Sequence, residues 1–209
     1  MCGRLLSVNT GRPAPLATPR RTVLSSIVKR PVAGPVAVGP DGLEGDEQAD
    51  RANHGRRFQA VYAYASEDVA WWSHRLGRSL GAAAFGENLT LEGIDCTNAR
   101  VGERWRVGTA ELRVTAPRIP CFKLAALMGD PGFVRTFARA ARPGAYLAVE
   151  RQGTIAAGDP VERVHVPGHG VTVGLMATAT LLDAARLPEL EPARADFVPE
   201  VASFVDGRG

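Results

Sequence analysis

The sequence predicts an α+β fold, a β-barrel-like domain over residues 1–167 followed by a small helical domain over residues 171–209. Three observations predict it. Many short segments rich in Val, Ile and Thr are separated by Gly and Pro, the texture of an antiparallel barrel. Only a few stretches among them carry helical spacing with recognisable caps. After Gly170 the composition shifts to Ala, Leu, Glu and Arg at helical spacing.

The elements follow in order. "GRLLSV" (3–8) reads as a strand, and "VLSSIVKRPVAGPVAV" (23–38) as strand material broken by Pro and Gly. "GPDGLEGDEQADRANHG" (39–55) has the Gly, Asp and Asn density of a long loop, and such loops are usually functional. "QAVYAYA" (59–65) returns to a strand. "SEDVAWWSHRLG" (66–77) reads as a helix with Ser66 as N-cap, acids in the first turn, a Val69/Trp72/Leu76 stripe and Gly77 as its stop. "FGENLTLEG" (85–93) is a strand, and "RWRV" with "AELRVTA" forms a hairpin around Gly108. A short helix follows Cys121, and a second starts near Asp130 as cap with Pro131 at its first position. "GAYLAVE" and "TIAAGDPVERV" (144–150 and 154–164) make another strand–turn–strand.

Composition bounds the function. The chain has 209 residues, 45% of them hydrophobic, which suffices for a sizeable core. The formal net charge of +3 comes from scattered Arg and Lys, which suits an anionic small ligand and does not call for nucleic acid. No apolar run reaches the roughly 20 residues of a membrane helix, and the start lacks a signal-peptide pattern. Three cysteines are too few for a disulfide framework, so the chain is expected to be cytoplasmic with reduced thiols.

Cys121 is the first candidate. It follows Pro117 and Pro120, which hold the backbone extended, and it precedes a helix whose first N–H groups and dipole favour an anion. Arg118 and Lys123 add positive charge, so the setting favours thiolate; a buried structural cysteine is the competing reading. Cys2 would become an N-terminal nucleophile if Met1 were removed. The "MCGR" start resembles the abasic-site-crosslinking SRAP family and the glutamine amidotransferases, but neither family's downstream pattern follows. Cys96 lacks basic neighbours and reads as structural. His54, His74, His165 and His169 show no zinc-ligand spacing, although His54 shares a loop with Asp46, Glu47 and Asp50. Phosphate-binding glycine loops and a nucleophile elbow are missing.

Seven stretches taken in order carry a resemblance: "SSIVKRPV", "GLEGDEQADRANHG", "AVYAY", "FGENLT", "VGERWRVGTAELRVTAPRIPCFKL", "RPGAYLAV" and "AGDPVERV". Together they resemble the MOSC family (molybdenum cofactor sulfurase C-terminal domain-like), in particular its bacterial YiiM-like branch, over nearly the whole chain. The tail resembles the small three-helix domain of that branch. The resemblance implies a β-barrel-like domain that binds the molybdenum cofactor, a pterin dithiolene with an anionic phosphate. No zinc and no iron–sulfur cluster are expected. Its functional cysteine matches Cys121, which would be both catalytic and the metal ligand, since a soft thiolate suits a molybdenum centre already held by sulfur. Lys29, Arg30 and Arg118 would hold the phosphate or pterin, and Asp46, His54, Glu87 and Asn88 match positions that line the pocket. Arg56 stands where the family has Gly, and Gln59 where it often has Lys.

The activity implied is reduction of N-hydroxylated bases or related N-oxygenated compounds, with electrons from a separate reductase. No membrane or nucleic-acid partner is expected. A second reading is a non-catalytic module that holds or delivers the cofactor, or carries sulfur on Cys121.

Overall fold

The computed structural model of the protein describes residues 2–49 and 56–208. Its framework is a closed barrel of seven strands. In chain order the strands are β1 (Cys2–Thr10), β2 (Ala14–Ala17), β3 (Thr22–Ser25), β4 (Arg30–Pro31), β5 (Val36–Gly39), β6 (Gly42–Leu43), β7 (Val61–Ala65), β8 (Leu89–Glu92), β9 (Arg104–Val107), β10 (Ala110–Pro117), β11 (Ala145–Arg151), β12 (Gly153–Ile155) and β13 (Pro160–His165). The barrel order is β13–β9–β10–β11–β7–β8–β1, and β1 returns to β13 by pairing Gly3 with Val161. Closure leaves no open edge in this ring. Register shifts in β1, β10 and β13 supply the local bends that a closed sheet needs.

All barrel pairings are antiparallel except β7 with β8. Parallel neighbours need a crossover, and helix α1 (Ser66–Leu76) provides it. The five residues of β7 are all buried because the strand serves two cores. Val61, Ala63 and Ala65 belong to the barrel interior; Tyr62 and Tyr64 belong to an aromatic cluster outside it. That cluster joins Trp72 of α1, Phe85, and Phe133 and Phe137 of helix α3 (Phe133–Ala140). Trp72 and Phe137 stack with ring centroids 5.8 Å apart, and the Trp72 indole N–H donates to the Tyr64 hydroxyl at 2.9 Å.

The expected hairpin of β9 and β10 is present, pairing Ala110 with Val107. Other expectations shift. Ser66 is the first helical residue rather than the cap, which is Ala65, and its hydroxyl donates to Glu67 Oε2 at 3.2 Å. Gly77 ends the helix in the left-handed conformation, as expected. Asp130 is not the cap of α3; it binds the Gly132 N–H at 2.7 Å one turn earlier, and Gly132 holds the cap position. The segment after β11 does not fold back on it: β12 pairs with β5, and β13 lies between β9 and β1.

From Val173 onwards the described chain is made of three helical segments joined by short links. Helix α4 (Val173–Leu181) is capped by the Thr172 hydroxyl, which accepts from Leu175 N–H at 3.0 Å. Residues Ala184–Asp196 follow as a 3₁₀ run rather than an α-helix, because Pro188 and Pro192 remove the N–H donors that an α-helix would use. Helix α5 (Pro199–Asp206) starts with Pro199 at its first position. The tail docks by an apolar seam in which Met176, Leu190 and Val201 pack with Val101 and Ala116 of the barrel side. We propose that it is a removable appendage. A chain ending at Pro167 is expected to keep the β-rich circular dichroism spectrum but to melt at a lower temperature, because Val101 and Ala116 are uncovered. Loss of all cooperative unfolding would show instead that the tail is part of the barrel's own core.

Candidate functional site

A cavity gathers side chains from four separate segments: Ser26 and Lys29 between β3 and β4, Asp46 after β6, Asn88 at the start of β8, and Arg118 with Cys121 between β10 and helix α2 (Phe122–Met128). Two glycines allow this convergence. A side chain on Gly11 would come within 2.9 Å of the Ser26 and Val28 carbonyl oxygens. One on Gly86 would come within 2.8 Å of Ile27, and Gly86 has φ +73°. The 26–29 segment is therefore held between two backbones that approach closer than any other residue permits.

Lys29 and Asp46 form a buried ion pair, with side chains 9% and 6% exposed. The Asp46 carboxylate also accepts from Gly11 N–H at 2.8 Å and from the Asn88 side-chain amide at 2.9 Å. The same Asn88 amide donates to the Asn9 carbonyl at 3.2 Å, and its oxygen accepts from Tyr62 N–H at 3.1 Å. Asp46 and Asn88 are thus both cavity-lining and structural. Burial pushes the Lys29 pKa below its usual value against the opposing pull of Asp46.

Arg118 is 7% exposed and packs its guanidinium over the Tyr62 ring, 4.9 Å from the centroid. One of its terminal nitrogens donates to the Phe85 carbonyl oxygen. Among the described residues its Nε has no hydrogen-bond partner, and neither has Ser26 Oγ on the same cavity. A buried guanidinium with its Nε unmatched calls for an acceptor of opposite charge. Cys121 caps α2, half-buried, with an extended backbone. Its carbonyl accepts from Leu124 and Ala125 N–H groups. The cysteine therefore stands one position before the helical turn expected from the sequence.

The remaining candidates separate. Arg30 is exposed on β4, opposite Thr10, and is not among the residues lining the cavity. Glu87 is wholly buried, and its carboxylate accepts from Ala83 N–H at 2.7 Å, Phe85 N–H at 3.0 Å and the Thr90 hydroxyl at 3.0 Å. It braces the loop beneath the cavity rather than facing it, and burial raises its pKa despite those donors. His54 lies outside the described residues. Gln59 lines the cavity, whereas Arg56 is exposed beside an adjoining cleft. Cys2 is exposed at the start of β1; Cys96 is fully buried, and burial pushes its thiol pKa well up.

Sequence reasoning missed Ser26, Tyr62 and Tyr146 as lining residues. The tyrosines sit in quoted stretches, "AVYAY" and "RPGAYLAV", and strand alternation places Tyr62 opposite the barrel-facing Val61 and Ala63. Nothing in the sequence distinguishes Ser26 from its neighbour Ser25.

Comparison with known proteins gives consistent results. The sequence model of the MOSC domain matches residues 50–162. The chain is 34% identical to the Bacillus subtilis protein YflK over 187 residues, covering 90% of this chain and 85% of that one. A Gibberella moniliformis protein named reductase is 30% identical over 169 residues, which cover 79% of this chain and 30% of the longer fungal protein. The crystal structure of YiiM from Geobacillus stearothermophilus superposes with a TM-score of 0.80 at 27% identity, covering 99% of this chain and 98% of that one.

The ion pair makes two testable statements. Lys29→Met leaves the Asp46 charge buried without its cation and is expected to lower stability by about 3–5 kcal/mol, whereas Lys29→Met/Asp46→Asn recovers most of that loss in urea titrations. Because burial holds the Lys29 pKa below 10.5, the folded protein releases this proton before the unfolded chain does. Its contribution to stability therefore rises with pH across a window ending at 10.5, while the cavity's hold on an anion falls in the same window. Anion affinity that is flat across that window would overturn the assignment.

Proposed function

The chain belongs to the MOSC domain family, a family associated with molybdenum cofactor binding, and from that premise we propose that it is a molybdenum-dependent reductase of N-hydroxylated compounds. The observation that carries the proposal is the buried Arg118, whose Nε is unmatched among the described residues, in a cavity also lined by Ser26 Oγ in the same state and by Cys121. These are donors for an oxyanion placed next to a soft sulfur ligand, which is the donor set that a phosphate-bearing pterin dithiolene of molybdenum requires. Resemblance to a fungal reductase supports redox chemistry in particular.

Each residue then has a task. Arg118 offers a fixed fork to phosphate oxygens, and Lys29 adds a second positive charge that Asp46 keeps in place. The Tyr62 hydroxyl is committed to the Pro143 carbonyl at 2.9 Å, so its ring serves as a flat support for the Arg118 guanidinium. Burial raises the Tyr146 pKa, and its hydroxyl keeps its proton at neutral pH. Cys121 Sγ would hold the metal as a soft thiolate ligand. When bound, the molybdenum centre supplies a two-electron couple able to accept oxygen from nitrogen. The overall conversion is R–NHOH plus two electrons and two protons to R–NH2 plus water, with the electrons delivered by a separate reductase.

Cys121→Ser exchanges a soft, ionisable ligand for a hydroxyl that stays protonated, with little change of volume. Protein made in a cofactor-competent host is expected to fold and to keep pterin, yet to lose reduction of a hydroxylamino base by a hundredfold or more on the order of losing a metal-activating ligand. Cys2→Ser and Cys96→Ser are expected to match wild type at equal molybdenum content. Full activity in Cys121→Ser would overturn the mechanism, and stoichiometric molybdenum without turnover in wild type would favour a carrier.

A further inference from the structure

A second cleft opens on the other side of Cys121. It shares Cys121, Tyr146 and Gln59 with the charged cavity, but its character is different. Phe58 reaches it from the 3₁₀ turn Arg57–Gln59, Ile119 from the segment before α2, and Phe204 from α5 of the tail. Its most buried lining residues, Met176 and Val201, are 1% and 2% exposed. Among the described residues the charged ones that border it are Arg56 and Glu200, both exposed and so on its rim. The Phe204 ring is held from one side by the Arg208 guanidinium, 4.8 Å from its centroid.

We propose that this cleft seats the organic part of the substrate, that it selects compounds whose N–OH group is attached to a flat apolar ring, and that Phe204 and Ile119 determine this specificity. The inference rests on the reductase reading given above. Its own support is the division of labour around one sulfur. The charged cavity presents the unmatched donors Arg118 Nε and Ser26 Oγ, which suit an anion. The cleft presents Phe58, Ile119 and Phe204, which would gain nothing from an anion and bind apolar carbon well. Among the described residues only Cys121, Tyr146 and Gln59 touch both, so a molecule filling the cleft brings its reacting end to the place where a cofactor in the first cavity would meet the cysteine. Phe204 belongs to the helical tail, so the tail has a part in substrate choice, whereas among the described residues the charged cavity is lined by none from the tail.

The test compares phenylhydroxylamine with hydroxylamine as substrates of the molybdenum-loaded protein, using Phe204→Ala, Ile119→Ala and the conservative Phe204→Leu. The ratio of kcat/KM for the ring-bearing compound to that for hydroxylamine is expected to fall about tenfold in both alanine variants, the usual effect of removing one apolar contact from a specificity pocket. Phe204→Leu is expected to restore most of it. A ratio within twofold of wild type in either alanine variant overturns the assignment. Should neither compound be turned over by wild type, the reductase reading fails instead. The cleft is then read by titrating aniline and following the Met176 methyl by NMR: a saturable shift that Ile119→Ala weakens supports the seat, and an unmoved methyl overturns it.

Discussion

The Asp46 carboxylate is the contact on which the rest of the site depends. It joins three segments far apart in the chain: the Gly11 N–H after β1, the Lys29 ammonium before β4 and the Asn88 amide at β8. Each partner is itself fixed, Asn88 by the Asn9 carbonyl and the Tyr62 N–H, and Lys29 by a segment pressed between Gly11 and Gly86. A buried carboxylate with three donors tolerates little rearrangement, because each lost donor leaves charge in a dry place. One acid residue therefore sets both the shape of the cavity and the position of its lysine.

Arg118 is governed by the opposite condition. Its ring support and its single backbone acceptor fix where the guanidinium lies without neutralising it. The polypeptide thus arranges one cation that is matched and one that keeps an unmatched nitrogen, a few residues from a cysteine at a helix start. The two cations therefore differ in what they can still offer: Lys29 is held by Asp46, whereas Arg118 keeps one nitrogen for a further acceptor.

Much of the barrel is legible in the sequence, since short β-branched runs and their punctuation depend on local chemistry that the eye can follow. Pairing partners are less legible. β12 carries the same texture as its neighbours, yet pairs with β5 in a small separate sheet, a long-range choice that no local signal records. At the site, Lys29, Asp46, Asn88, Arg118 and Cys121, which stand in separate motifs, line one cavity. Glu87 looks like a lining residue in "FGENLT", but its alternation within a tight loop turns the carboxylate to the backbone at Ala83 and Phe85. Arg30 fails for a simpler reason: it follows Lys29, and neighbours in an extended segment project to opposite sides. Ser66 and Asp130 show that a cap is legible to about one turn but not to one residue.

Closure of the barrel through β1 and β13 bears on how the chain comes off the ribosome. Gly3 must wait for Val161 before its second neighbour exists, and the β1–β8 pair must hold meanwhile with one flank bare. Contacts of such long sequence separation slow folding, and an unpaired flank is a template for association with another chain. During synthesis the β7–α1–β8 crossover can form early, whereas its aromatic cluster waits for Phe133 and Phe137, and the ring cannot close until about three quarters of the residues have emerged. The price of an edgeless barrel in the finished protein is a long-lived edge in the nascent one, so yield on overexpression should respond to translation rate and chaperone supply more than to equilibrium stability.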